Sequence, residues 1–291
     1  MKRKLVKQGI STLMISLPIK WIKQNGLDKG SEVDLEEKGK EIIISLSPTS
    51  LSEKKISLDV GGFDLLINRI LISLYVKGYE EVELIFKDRE ETKKLKKHVV
   101  EELLGFEIIK QTQNKIIIRD LTGFEKQNID DITKRIFFII DGMLEDLINS
   151  NGKKQDLNDI SNLDTSVNKL VHFSLRILNS RGYINQEKTI SFYGIISILE
   201  QVGDIIKQII NDFRKEKINS FNIELIKKIK SFLGLFEKIL FNFNKEDAVK
   251  FAKTYEEIKM SIKGKDKIDL RLSQLNETII RMNNYLLVNV F

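Results

Sequence analysis

The sequence predicts an α+β multidomain chain: a small strand-rich part, then a βαβαββ part, then a purely helical part. Three observations carry this expectation. Both prolines, Pro18 and Pro48, fall in the first 48 of 291 residues. A long proline-free remainder favours helices, whose interiors exclude proline. Residues 1–48 alternate apolar and polar in short runs, the period of half-buried strands, and from Gly123 onward only the three-and-four spacing of amphipathic helices remains.

The elements follow in chain order. Lys4-Leu5-Val6-Lys7 reads as a short strand, and Thr12 to Leu17 as a second that stops at Pro18. Pro18 suits a helix start, because its missing N–H costs nothing in the first turn. Ile19, Trp21 and Ile22 supply that helix's apolar residues, and Asn25-Gly26 ends it. Glu32 to Glu36 alternates as a strand, Lys38-Gly39-Lys40 is a hairpin turn, and Glu41 to Leu46 returns. Trp21 and Met14 are expected in the core. A unit of 48 residues is too small to bury a good core alone, so a partner chain is expected to complete it.

Residues 54–122 read as a small α/β domain. Ile56 to Val60 is a strand, Asp64 to Lys77 a helix, Val82 to Phe86 a strand and Glu90 to Leu104 a lysine-rich helix; Phe106 to Lys110 and Lys115 to Arg119 form a hairpin. Gly61-Gly62 lacks the spacing of a phosphate-cradling loop. Lys93, Lys94, Lys96 and Lys97 are balanced by Glu90, Glu91, Glu101 and Glu102, which gives a solvated face. His98 has no catalytic partner at motif spacing.

Residues 123–291 read as six helices. Ile129, Ile132, Ile136, Ile140, Met143 and Leu147 mark the first; Leu163, Val167, Leu170, Phe173 (or Ser174) and Ile177 the second; Ile195, Leu199, Val202, Ile206, Ile209 and Phe213 the third. Phe221–Phe243, Glu246–Ile262 and Lys267–Val290 form a second trio. Two sets of three, about 123–215 and 218–291, predict a duplicated antiparallel three-helix bundle.

Composition narrows the chemistry. The chain has no cysteine, which excludes disulfides, zinc–thiolate sites and cysteine nucleophiles. Two histidines, His98 and His172, exclude a multi-histidine metal site within one chain. His172 lies between Val171 and Phe173 and reads as packed rather than catalytic. No apolar run approaches the roughly 20 residues of a membrane span, and no signal-like core follows the basic start. A cytoplasmic, non-membrane-spanning protein is expected. The net charge is +6. Residues 1–27 hold six bases (Lys2, Arg3, Lys4, Lys7, Lys20 and Lys23) and no acid. A local basic patch is what a phosphate backbone selects.

Two resemblances add to this. Lys4 to Gly9, Leu13-Met14-Ile15-Ser16-Leu17-Pro18, Trp21 and Gly26-Leu27-Asp28-Lys29-Gly30-Ser31-Glu32-Val33 resemble the SpoVT/AbrB-type swapped-hairpin domain across residues 1–48. The resemblance implies a dimeric β-barrel, each chain's hairpin completing the other's. It also implies DNA binding through Lys2, Arg3, Lys4 and Lys7, with Lys20 and Lys23 on phosphates. Only Arg3 can make a bidentate base contact.

Glu200 and Asp204 sit one turn apart on one helix face, where like charges repel. Such a pair calls for solvent, a lysine or a cation, and two carboxylates one turn apart can share a hard metal ion. Leu199-Glu200-Gln201-Val202-Gly203-Asp204 and Asp164 to Leu170 resemble the acidic signatures of PhoU domains, with Asn168 replacing the second acid. That resemblance covers roughly 123–291. It implies a PhoU-like regulator of phosphate uptake, with a divalent or trivalent metal ion held at Glu200 and Asp204 and a phosphate-transporter or signalling protein as partner. In the second repeat Glu277 is followed at i+4 by Arg281, which reads as a salt-bridged face rather than a second metal site. Asp141, Glu145 and Asp146 form a further acidic stripe.

Three functions follow: a dimeric phosphate-uptake regulator, an AbrB-family DNA-binding transcriptional regulator with a helical effector domain, and a metal-dependent enzyme. The last is weakest, because no nucleophile or general base accompanies the acidic pair. A non-enzyme is expected.

Overall fold

In the computed structural model, residues 2–9, 12–38, 41–46, 54–122, 127–150, 156–214, 220–264 and 266–291 are described. Pro48 and the hairpin residues Gly39 and Lys40 lie outside them, as do the side chains of Lys94, Lys96, Lys97, His98 and Phe221. The chain divides into two compact units, Met1–Ser52 and Glu53–Phe291.

The described residues of the first unit form two hairpins and one helix. β1 (Val6–Gln8) pairs antiparallel with β2 (Thr12–Met14), Val6 opposite Met14. Pro18 precedes α1 (Ile19–Gln24) in extended conformation, and its carbonyl accepts from the Ile22 N–H. The helix stops at Asn25, and Gly26 follows at φ 63°, a left-handed turn that suits glycine. β3 (Val33–Lys38) then pairs antiparallel with β4 (Glu41–Leu46), Val33 opposite Leu46. The two hairpins form separate two-stranded sheets.

The second unit begins with β5 (Lys55–Asp59), α2 (Ile67–Val76), β6 (Glu81–Ile85), α3 (Arg89–Glu102), β7 (Phe106–Gln111) and β8 (Lys115–Asp120). This is the βαβαββ order that periodicity predicts. The sheet order is β5-β6-β8-β7; β5 and β6 run parallel and the other neighbours antiparallel. Val82, Leu84, Ile116 and Ile118 line the buried face, with Leu71 and Tyr75 of α2 and Leu95 and Val99 of α3 also in the core. The opposite face is polar: Glu83 accepts from Ser57 at 2.7 Å and pairs with Lys115 at 3.1 Å. Asp88 caps α3 by accepting from the Glu90 and Glu91 N–H groups.

Among the described residues six α-helices follow: α4 (Ile129–Asn149), α5 (Asp156–Arg181), α6 (Thr189–Phe213), α7 (Ser220–Phe241), α8 (Lys245–Ser261) and α9 (Lys267–Val290). α6 packs against α4, α5 and α9, and α7 against α4, α8 and α9. Gly194 makes the α6–α9 approach close, since a Cβ there would overlap the Tyr285 ring. The stretch Gln186–Phe213 is long and apolar enough, by length and composition, to cross a membrane. Polar residues such as Ser191, Glu200 and Asp204 interrupt it, so it contains no continuous apolar run of that length. Here 61% of its apolar window is buried inside the protein.

The sequence divides 54–122 from 123–291, but both belong to one compact unit. α2 and α3 pack on α5. Arg176 of α5 is fully buried at this seam. Its Nη1 donates to the Tyr75 carbonyl at 2.6 Å and the Tyr79 carbonyl at 2.8 Å, and its Nη2 to Asp120 at 2.9 Å. The guanidinium also stacks over the Tyr75 and Phe106 rings. Arg176 and Asn179 thereby take up carbonyls at the end of α2, where a helix lacks intrahelical donors.

Candidate functional site

Two surfaces hold the residues singled out by the sequence. The first is the N-terminal unit. Lys2, Arg3, Lys4 and Lys7 are exposed along the lead-in to β1 and within it, and Lys20 and Lys23 are exposed on α1. No acid among the described residues pairs with them. This places positive charge on a segment whose extended backbone spreads the side chains apart, a form suited to phosphates.

The same unit buries none of its described side chains. Met14, expected in the core, is 44% exposed, and Trp21 is only half-buried. Leu5, Val6, Leu13, Ile15, Leu35 and Ile42 are exposed as well. The physical reason is geometric: a two-stranded hairpin has two faces, and among the described residues of this unit no further layer covers both. Apolar exposure on this scale marks an interaction surface.

The second surface lies where α6 meets α5. The Asp164 side chain is fully buried, and its Oδ2 accepts from Lys207 Nζ at 2.6 Å. Asp164 Oδ1 and Asn168 Oδ1 are buried without a hydrogen-bond partner among the described residues. Gly203 lets the helices meet here, because a Cβ would come within 3.3 Å of Val167 and 3.5 Å of Asp164 Oδ1. Burial, then Asp204, Glu102 and Asp164, pushes the Glu200 carboxyl above its ordinary range, with Arg69 opposing. Burial, then Asp164, raises Asp204 likewise, with Lys207 and Arg69 opposing. The hydrogen bond to Asp164 raises Lys207. The buried His172 has Nε2 3.8 Å from Glu200 Oε1.

The oxygen donors suit a hard cation in kind. Their arrangement does not form an ion cage: the Lys207 ammonium occupies Asp164, and among the described residues no three histidine or carboxylate side chains converge on one point. Asp141 and Glu145 turn to Lys230 of α7, at 3.0 and 3.2 Å. Glu277 differs from expectation: it accepts from the Tyr255 hydroxyl at 2.7 Å and lies 3.9 Å from Lys259, both on α8. A cross-helix partner has displaced the predicted Arg281, which is exposed.

Sequence reasoning missed Lys207, Arg69, Glu102 and Arg176. Arg176 carries a signal of its own, a lone charge inside the apolar run Val171 to Leu178. The others come from separate elements, and only the fold brings them together.

Residues 6–53 match the family described as Antidote-toxin recognition MazE, bacterial antitoxin. No curated protein and no solved structure matches the chain. The match supports an AbrB-like N-terminal domain and points to a DNA-binding or antitoxin-type regulatory module. The helical part is compatible with the PhoU resemblance.

Proposed function

We infer that the protein is a dimeric, DNA-binding regulator of the AbrB/MazE type whose larger unit is its effector module, acting by binding rather than catalysis. One observation carries this reading. The described residues of the N-terminal unit combine exposed bases, paired with no acid among those residues, with exposed apolar side chains on both hairpins. A second copy supplies the missing cover and doubles the basic surface. Lys2, Arg3, Lys4 and Lys7 contact DNA, chiefly its phosphates, with Arg3 the base reader. The test is DNA affinity across a salt series. Binding should weaken steeply with salt, and Lys2/Arg3/Lys4→Ala, which removes two phosphate-contacting lysines from each copy of the dimer, should reduce the salt slope by about four. Salt-insensitive binding, or binding unchanged in the triple variant, overturns the assignment.

A second reading, phosphate-uptake regulation with a metal ion at Glu200 and Asp204, draws on the buried and unpartnered Asp164 Oδ1 beside that pair. It requires Lys207 to leave Asp164. Elemental analysis of the purified chain against Glu200→Ala/Asp204→Ala tests it: bound metal should be lost in the variant, and equal metal content in both refutes the site.

A further inference from the structure

β7 lies at the edge of the four-stranded sheet, paired with β8 on one side and with no strand on the other among the described residues. After the buried Phe106, residues Glu107, Ile109, Lys110 and Gln111 are exposed. A groove of about 340 Å³ runs along this edge, lined by Val99 and Val100 of α3 and by Glu107, Ile108, Ile109 and Lys110. Val100 is 65% exposed and Ile109 41%.

The strand is irregular in an informative way. In a regular strand, residues three apart point to opposite faces. Here the register shifts between Ile108 and Lys110, so Glu107 lies opposite Arg119 and Lys110 opposite Ile117. Residues 117 and 119 are two apart on β8 and share a face. Glu107 and Lys110 therefore share one too. Two-fold antiparallel pairing of a strand with its own copy has this requirement, because directly opposed residues share a face and the symmetry repeats each contact.

We propose that β7 is the docking edge for a second copy of this chain. The two β7 strands pair antiparallel, extending the sheet across the two-fold axis. Glu107 of each copy faces Lys110 of the other, which gives two ion pairs of opposite charge. Ile109 and Val100 of both copies close over the groove. Edge charges and bulges usually discourage pairing. In this strand the charges complement themselves and the bulge supplies the register. The contact lies in the larger unit and does not depend on the N-terminal dimer.

The chain has no cysteine, so introduced thiols are unique. Full-length Glu107→Cys and Lys110→Cys copies, tagged to differ in size, are co-expressed and oxidised with glutathione disulfide. The mixed 107–110 dimer should form at least about tenfold faster than either self-pair, since only opposed residues lie within disulfide reach. Equal rates for all three pairings overturn the proposal, as does the absence of mixed dimer. Capture of another protein's strand without a mixed dimer overturns it too.

Discussion

Residues Met1–Ser52 bury no described side chain, whereas Glu53–Phe291 carries one continuous hydrophobic core from Val60 to Leu286. Both stretches are rich in aliphatic residues, so composition does not separate them. What differs is the number of layers. The larger unit stacks α2 and α3 on a sheet and then α5 on both helices, giving its apolar faces cover within one chain. The smaller has two isolated hairpins and a six-residue helix. Short strands with no further layer among the described residues leave Leu13 and Met14 exposed.

Substitutions can break or sharpen this contrast. The largest effect is expected at Arg176. Arg176→Ala strands the buried Asp120 carboxylate and empties the seam, and should cost roughly 3–5 kcal/mol in chemical denaturation. A loss below about 1 kcal/mol means the seam does not unite the sheet with the helices. Gly194→Ala should cost about 1–3 kcal/mol through overpacking against Tyr285; adding Tyr285→Ala should recover part of it, and additive losses would refute the close approach. Asp88→Ala removes the α3 cap and should cost about 1 kcal/mol.

The pH dependence has a defined sign. Glu200 and Asp204 have folded-state pKa values above their ordinary range, so the folded chain holds protons that the unfolded chain releases. The stability they contribute is greatest below the ordinary carboxylate range and is lost as pH rises through the raised values. Glu200→Gln/Asp204→Asn should raise the neutral-pH melting temperature and flatten that pH dependence, read by thermal melts from pH 4 to about 7. An unchanged pH profile would contradict the raised carboxyl pKa values of this pair. The smallest effect on the main unfolding transition is expected from Met14→Asp, within about 0.5 kcal/mol, although it should weaken DNA binding. A large fall in that transition would show that the two units do not stand apart energetically.

Much of the fold is legible in the sequence, because each element's apolar spacing is local. Val82 and Leu84 alternate, and Ile129 to Leu147 step by three and four, so β6 and α4 fall where periodicity places them. The exposed N-terminal bases are equally direct, since nothing but sequence is needed to see a run without acids. The site on α5 and α6 is legible only in part. Glu200 and Asp204 announce themselves by spacing, but Lys207 on Asp164 and the nearby Arg69 and Glu102 depend on how helices from two regions meet. Arg176 shows itself as a lone charge in an apolar run, but its carbonyl partners, some hundred residues away, do not. Met14 and Trp21 misled because an apolar residue in a strand or helix signals burial without saying which chain buries it.

The way α2 ends has a consequence for biosynthesis. Three successive terminal carbonyls, those of Tyr75, Val76 and Lys77, accept from Arg176, Asn179 and Lys54 respectively. Two of those three donors are made long after the sheet itself has emerged. At roughly 5–20 residues per second, the nascent sheet waits for several seconds with its first helix, α2, unfinished. The ribosome thus delivers the α/β part incomplete, and α5 finishes it.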